Sequence, residues 1–249
     1  MLRNWDYDPS SISARWIQGR DGKLRVQLRL DLGLFQMNVD GRPDGTRPHG
    51  HTSLVDYYLA REKDAGSESI ALDSESCGEL QQEAMQYYYR YLSFYALHHF
   101  DGVITDTEHN LALLAFVARH TADDDLAWQF MQFYPYVRMM NARARAEKAV
   151  EAKKYEEAIA ALQDALKDIQ AFWDEYGEGD STEATQEVEL LTDLLNQVSK
   201  RKPKTHVDKL REQMAQAISM ENYEKAAMIR DKLRDLQRQI SVNVDKSKK

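Results

Sequence analysis

From Lys23 to Leu32 polar and apolar residues alternate strictly. Leu24, Val26, Leu28, Leu30 and Leu32 stand against Lys23, Arg25, Gln27, Arg29 and Asp31. A period of two puts the sets on opposite faces of a β-strand. Upstream, Ala14 to Gln18 runs into Gly19-Arg20-Asp21-Gly22, a turn sequence. Downstream, Gly33 breaks the run, and Phe35, Met37 and Val39 resume it on one face. The pattern predicts a three-stranded antiparallel meander, with its one apolar face covered by a helix.

After the turn-rich stretch Asp40-Gly41-Arg42-Pro43-Asp44-Gly45, the period becomes helical. Residues 52–62, capped by Thr52 or Ser53, place Leu54, Val55, Tyr58 and Leu59 on one side. Residues 64–75 read as a connection. From Glu79 to Phe100, Leu80, Ala84, Tyr87, Tyr88, Tyr91, Tyr95 and His98 recur at three and four, and Asp101-Gly102 is expected to end the run. Thr107 is expected to cap the next helix, with Leu111, Leu114, Ala115 and Ala118 inward. Residues 123–133 form a further short helix, and Pro135 interrupts it or starts the next.

Residues 139–171 resemble a tetratricopeptide helix pair: Tyr155 in the turn, then Ala158 and Ala165, within a stripe that includes Ile159, Leu162, Leu166 and Ile169. The likeness is partial, because Arg145 replaces a large apolar residue and Gln170 stands near the usual closing proline. No neighbouring repeat follows, so a stacked solenoid is not expected. Gly177 to Thr182 breaks the chain. A helix over 183–199 turns Val188, Leu191, Leu194, Leu195 and Val198 inward, and residues 200–205 read as a charged linker.

Composition narrows the class. Gly and Pro are scarce, at 11 and 5 of 249 residues, while 30% are charged, which favours long helices. No run approaches the roughly 20 apolar residues that cross a bilayer. The first residues carry no apolar signal core, and the single cysteine, Cys77, allows no internal disulfide; a cytoplasmic location is the expectation. Cys77 reads as an ordinary thiol. Residues 200–249 hold 14 basic and 7 acidic residues, against 19 and 34 in the rest. An acidic body with a mildly basic tail is not the footprint of a general DNA-binding protein.

Beyond the linker, Val207, Leu210, Met214, Ala217 and Ile218 fall on one helical face. Tyr223, Ala226, Ala227, Arg230, Leu233, Leu236 and Ile240 form the stripe of a second helix. The two make an antiparallel hairpin over residues 206–240, followed by a tail at 241–249. A hairpin of roughly 35 residues is below the size that sustains its own core. Part of its apolar surface is therefore expected to meet another hairpin or the body, closing a four-helix arrangement in the first case.

Leu210-x3-Met214-x2-Ala217, then Glu221-Asn222-Tyr223-Glu224-Lys225-Ala226-Ala227-x2-Arg230-Asp231-x-Leu233-x2-Leu236, closely resembles the UVR motif. That motif occurs in UvrB and UvrC and in the activator of a bacterial protein-arginine kinase, where it forms a hairpin that pairs with a second such hairpin. The resemblance implies an aromatic interface position at Tyr223, close helix approach at Ala226 and Ala227, and an orienting polar pair at Arg230-Asp231. It implies partner-binding residues Leu210, Met214, Ala217, Tyr223, Ala226, Ala227, Arg230, Leu233 and Leu236. Trp5-Asp6-Tyr7-Asp8-Pro9, the meander and the 40–45 turn also resemble the start of bacterial UVR-motif proteins.

No Gly-x4-Gly-Lys-Ser/Thr loop is present for nucleotide, and one cysteine cannot supply a zinc set, so no cofactor is expected. His49 and His51 are a candidate metal pair set against a plain loop. His98 and His99 point to different helix faces, and His109 is expected at the surface. The Asp123-Asp124-Asp125 run reads as a helix N-terminus, and the tyrosines around Tyr87–Tyr91 as packing against the meander.

The chain is thus expected to be α+β, predominantly α. A body over 1–199 carries the hairpin, and the protein is read as a non-enzymatic adaptor or regulator that docks to a hairpin-bearing partner or to its own copy. The alternative is a DNA-repair accessory contacting nucleic acid through the basic C-terminal region. An enzyme built around His49, His51 and Asp40-Gly41 has thinner support.

Overall fold

The computed structural model describes residues 5–65, 70–177, 182–204 and 206–246. Three strands, β1 (Ala14–Gln18), β2 (Leu24–Arg29) and β3 (Leu34–Asn38), form an antiparallel sheet in the order β1-β2-β3. Helices follow: α1 (Leu54–Ala65), α2 (Ser74–Ala96), α3 (Phe100–His120), α4 (Asp124–Met131), α5 (Tyr134–Glu151), α6 (Tyr155–Tyr176), α7 (Thr182–Arg201), α8 (His206–Ser219) and α9 (Tyr223–Lys246). The class is α+β, mostly α. The chain divides into two compact units, Met1–Lys200 and Arg201–Lys249.

In the first unit, Val26, Leu28 and Met37 turn one sheet face onto α2, where Tyr91 and Phe94 receive them. Trp16 meets Phe94, and Phe35 meets Tyr89 edge-on at 4.8 Å. Burial does not follow the whole apolar alternation: Leu24, at the start of β2, and Leu32, in the turn beyond it, are exposed. Its centre departs as well, because Gln27 is buried on the polar face. There its amide oxygen accepts from Arg15, and its amide nitrogen donates to Gln36.

The expected break at Asp101-Gly102 falls earlier. His98, at φ 54°, closes α2, and His99 N–H donates to the Phe94 carbonyl at 2.8 Å. This is a left-handed helix end. Gly102 then lies inside α3, because a Cβ there would stand 2.5 Å from the Phe94 ring. That glycine marks a close crossing rather than a stop. Thr107 is likewise no cap. Buried within α3, its hydroxyl donates to the Val103 carbonyl and accepts from Asn141 of α5.

Helix starts follow side-chain capping. Asp73 accepts from Ser76 N–H and opens α2, Asp123 accepts from Leu126 N–H and opens α4, and Ser53 accepts from Asp56 N–H at α1. Pro135 stands in the first turn of α5, where its missing N–H costs nothing. Helices α5 and α6 pack side by side through Ala142, Ala146 and Ala149 on one and Ala158, Leu162, Ala165 and Ile169 on the other.

A polar network ties the loop after β3 to α1, α2 and α3. The Glu83 carboxylate, fully buried on α2, accepts from the Leu54 and Val55 amides that begin α1. It also lies 2.9 Å from Arg42 Nε and 3.3 Å from His109 Nε2. His109 is therefore not at the surface. With α3 starting at Phe100, the residue sits in mid-helix facing α2, stacked on Tyr87 at 3.6 Å. Burial raises the Glu83 pKa, but the bonds from His109, Leu54 and Val55 outweigh it and hold the group below its ordinary value.

Candidate functional site

Helices α8 and α9 pair within the second unit. Leu210 of α8 meets Ile229 and Leu233 of α9, with Met214 alongside, and Ala217 and Ala226 are buried nearer the turn. Small residues at that end let the two backbones approach. The turn is fixed by main-chain bonds: Glu221 N–H donates to the Ile218 carbonyl at 3.0 Å, and Asn222 N–H to the Ala217 carbonyl at 2.8 Å. Glu221 takes the left-handed conformation that ends α8, at φ 55°. Asn222 then caps α9, its side-chain oxygen accepting from Lys225 N–H at 3.1 Å. Glu221-Asn222 is thus a helix stop followed at once by a helix start.

The expected partner-binding residues divide by location. Leu210, Ala217, Ala226 and Leu233 lie inside the hairpin, and Met214 and Ala227 are half-buried. Tyr223 and Arg230 are exposed. Arg230 pairs with its neighbour Asp231 at 3.2 Å, and Arg234 joins the same carboxylate at 3.5 Å. The Leu236 side chain lies outside the described residues. Ile229, which the sequence reading passed over, is a core member. It stands three residues after Ala226 and four before Leu233, so the helical period did mark it.

What the interior leaves uncovered is substantial. Tyr223 is 66% exposed, Met220 70%, Met228 61% and Ile218 49%. Three of these four, Ile218, Met220 and Tyr223, fall within six residues around the turn.

Residues 204–239 match the family model of the UvrB/uvrC motif, UVR. The UVR match covers α8, the turn and α9 as far as residue 239, and it supports the resemblance carried by the residues. The chain as a whole matches no curated protein and no solved structure.

The other candidate groups are also placed. His49, at φ 49°, stacks on Tyr57 at 4.1 Å, and His51 approaches the same ring at 5.6 Å. Among the described residues, no three His, Cys, Asp or Glu side chains gather to hold a metal ion, and no helix is long and apolar enough to cross a membrane. Cys77 is buried, and burial pushes its thiol pKa up.

Proposed function

We propose that this chain is a non-enzymatic adaptor or regulatory protein that docks through its UVR hairpin, onto a hairpin-bearing partner or onto its own copy. One observation carries the reading. Three buried side chains and one half-buried one form the hairpin's hydrophobic cluster, while Ile218, Met220, Tyr223 and Met228 remain exposed. Burying a side chain of this size contributes about 1.5–3 kcal/mol before ordering costs. A few such residues are enough for a specific contact of moderate affinity.

The experiment compares the full-length protein with Tyr223→Ala, combining in-cell crosslinking with affinity purification and analytical ultracentrifugation. A defined partner or a dimer, lost or weakened on substitution, supports docking. Identical behaviour of the two proteins, with neither partner nor dimer, rejects it.

A second reading rests on the charge of residues 200–249, including Lys200, Arg201, Lys202 and Lys204. Under that reading the region contacts nucleic acid directly, with an affinity that falls steeply with salt. Absence of any gel shift at low salt removes it.

A further inference from the structure

We infer that the turn carrying His49 and His51, together with Arg61 of α1, is a binding site for a single phosphate monoester group. The site lies in the first unit, and the argument is independent of the hairpin.

Three nitrogen-bearing side chains converge on one ring. His49 stacks on Tyr57 with centroids 4.1 Å apart, and His51 stands 5.6 Å from the same ring. Arg61, one helical turn after Tyr57, brings its Cζ to 5.6 Å from that centroid. All three groups therefore lie within 5.6 Å of one point. Arg47 opens the same turn, its side chain exposed and its carbonyl accepting from Gly50 N–H at 3.1 Å.

The backbone is bent to bring them there. After Pro48, His49 takes φ 49° and Gly50 takes φ 82°, two successive left-handed residues. Glycine adopts that conformation freely, whereas histidine does so at a cost. Such strain persists only where the surroundings hold it, and it gathers at functional sites. Here the stack on Tyr57 holds it.

The cluster has no internal counter-charge. Elsewhere in this unit Arg42, Arg90, Arg119 and Arg138 each pair with a carboxylate. Among the described residues, no carboxylate pairs with Arg47, His49, His51 or Arg61. Glu62, next to Arg61, is engaged by Arg119 and His120 of α3 at 3.5 and 3.0 Å. Asp56, next to Tyr57, makes no ion pair with the cluster.

These features select the ligand. A phosphate monoester carries about 1.5–2 negative charges at neutral pH and three strong acceptor oxygens. Each imidazole offers an N–H donor in either protonation state, and Arg61 offers a planar fork suited to phosphate. A metal ion fits poorly. Among the described residues no three His, Cys, Asp or Glu side chains gather to hold one, and a guanidinium beside two histidines repels a cation. A nucleic-acid backbone also fits poorly, because residues 1–199 hold 34 acidic and 19 basic residues and repel a long polyanion. A single phosphate meets chiefly the charges within about 8–10 Å.

The test titrates the full-length protein with inorganic phosphate at neutral pH and constant ionic strength, following the histidine ring protons by NMR. His49→Asn and His51→Gln assign the two resonances, and asparagine tolerates the left-handed backbone at position 49. The expected result is saturable shifts at His49 and His51 that chloride does not reproduce. Arg61→Gln, at an exposed helical position, should weaken binding about fivefold or more. O-phosphoserine and glycerol phosphate, titrated in parallel, separate a phosphorylated side chain from a small ester as the natural source, and the tighter binder identifies it. No saturable shift, equal shifts at the other histidines, or unchanged affinity in Arg61→Gln overturns the proposal.

Discussion

Arg90 of α2 grips Asp106 of α3 with two parallel bonds, Nε at 2.8 Å and Nη2 at 2.6 Å, both side chains almost fully buried. The remaining terminal nitrogen donates to the carbonyls of Asn38 and Gly41, at 2.9 and 2.7 Å. One guanidinium therefore fixes the crossing of two helices and the exit of the last strand. Burial raises the Asp106 pKa, with Arg90 acting in the opposite direction.

Removing one partner of such a pair leaves a buried charge uncompensated. Arg90→Ala is expected to cost about 3–5 kcal/mol in chemical denaturation. Arg90→Lys should not rescue it, because a point charge cannot make the fork and the carbonyl bonds together. The double variant Arg90→Met with Asp106→Leu should lose less than the sum of the two single changes.

Glu83 links stability to pH. Its folded pKa lies below the ordinary 4.5. Its contribution is thus fully present above that value and is lost as pH falls through the depressed folded pKa. Thermal melts of wild type and Glu83→Gln should differ clearly at pH 7 and converge as acid is added below about pH 4. A difference that stays constant down to pH 3 would contradict the ion-pair role.

Gly102 tests the close helix crossing. A methyl there meets the Phe94 and His99 rings at 2.5 and 2.6 Å. Despite alanine's better helix propensity, Gly102→Ala should destabilise by about 1–3 kcal/mol, the usual cost of overpacking. A raised melting temperature would show that the rings yield.

The hairpin offers a separation of stability from binding. Leu233→Asp puts a charge in a small interior and should lower helicity, seen as reduced far-UV circular dichroism, and with it any partner contact. Tyr223→Ala removes an exposed ring and should leave helicity unchanged while weakening the contact.

Much of this was legible along the chain. The meander followed from a period of two over residues 23–39, and the hairpin from stripes at three and four. Both signals are local, because a face must be apolar before it can be buried. Side-chain capping was legible at Ser53 and in the Asp123 run for the same reason.

Misreadings occurred where the partner comes from a neighbouring helix. Gly102 has the form of a helix stop until Phe94 is packed against it. His109 has the form of a surface residue until Tyr87 lies on its ring. Arg90 and Asp106, 16 residues apart, carry no periodic mark of their pairing.

The sequence by itself determined the element types, the one-sided sheet and the UVR hairpin, since each is set by the spacing of apolar residues within a few turns. Only the tertiary structure decided which polar groups are buried together and which apolar side chains of the hairpin face solvent. Those outcomes depend on the distance between residues of different elements, and that distance exists only after packing.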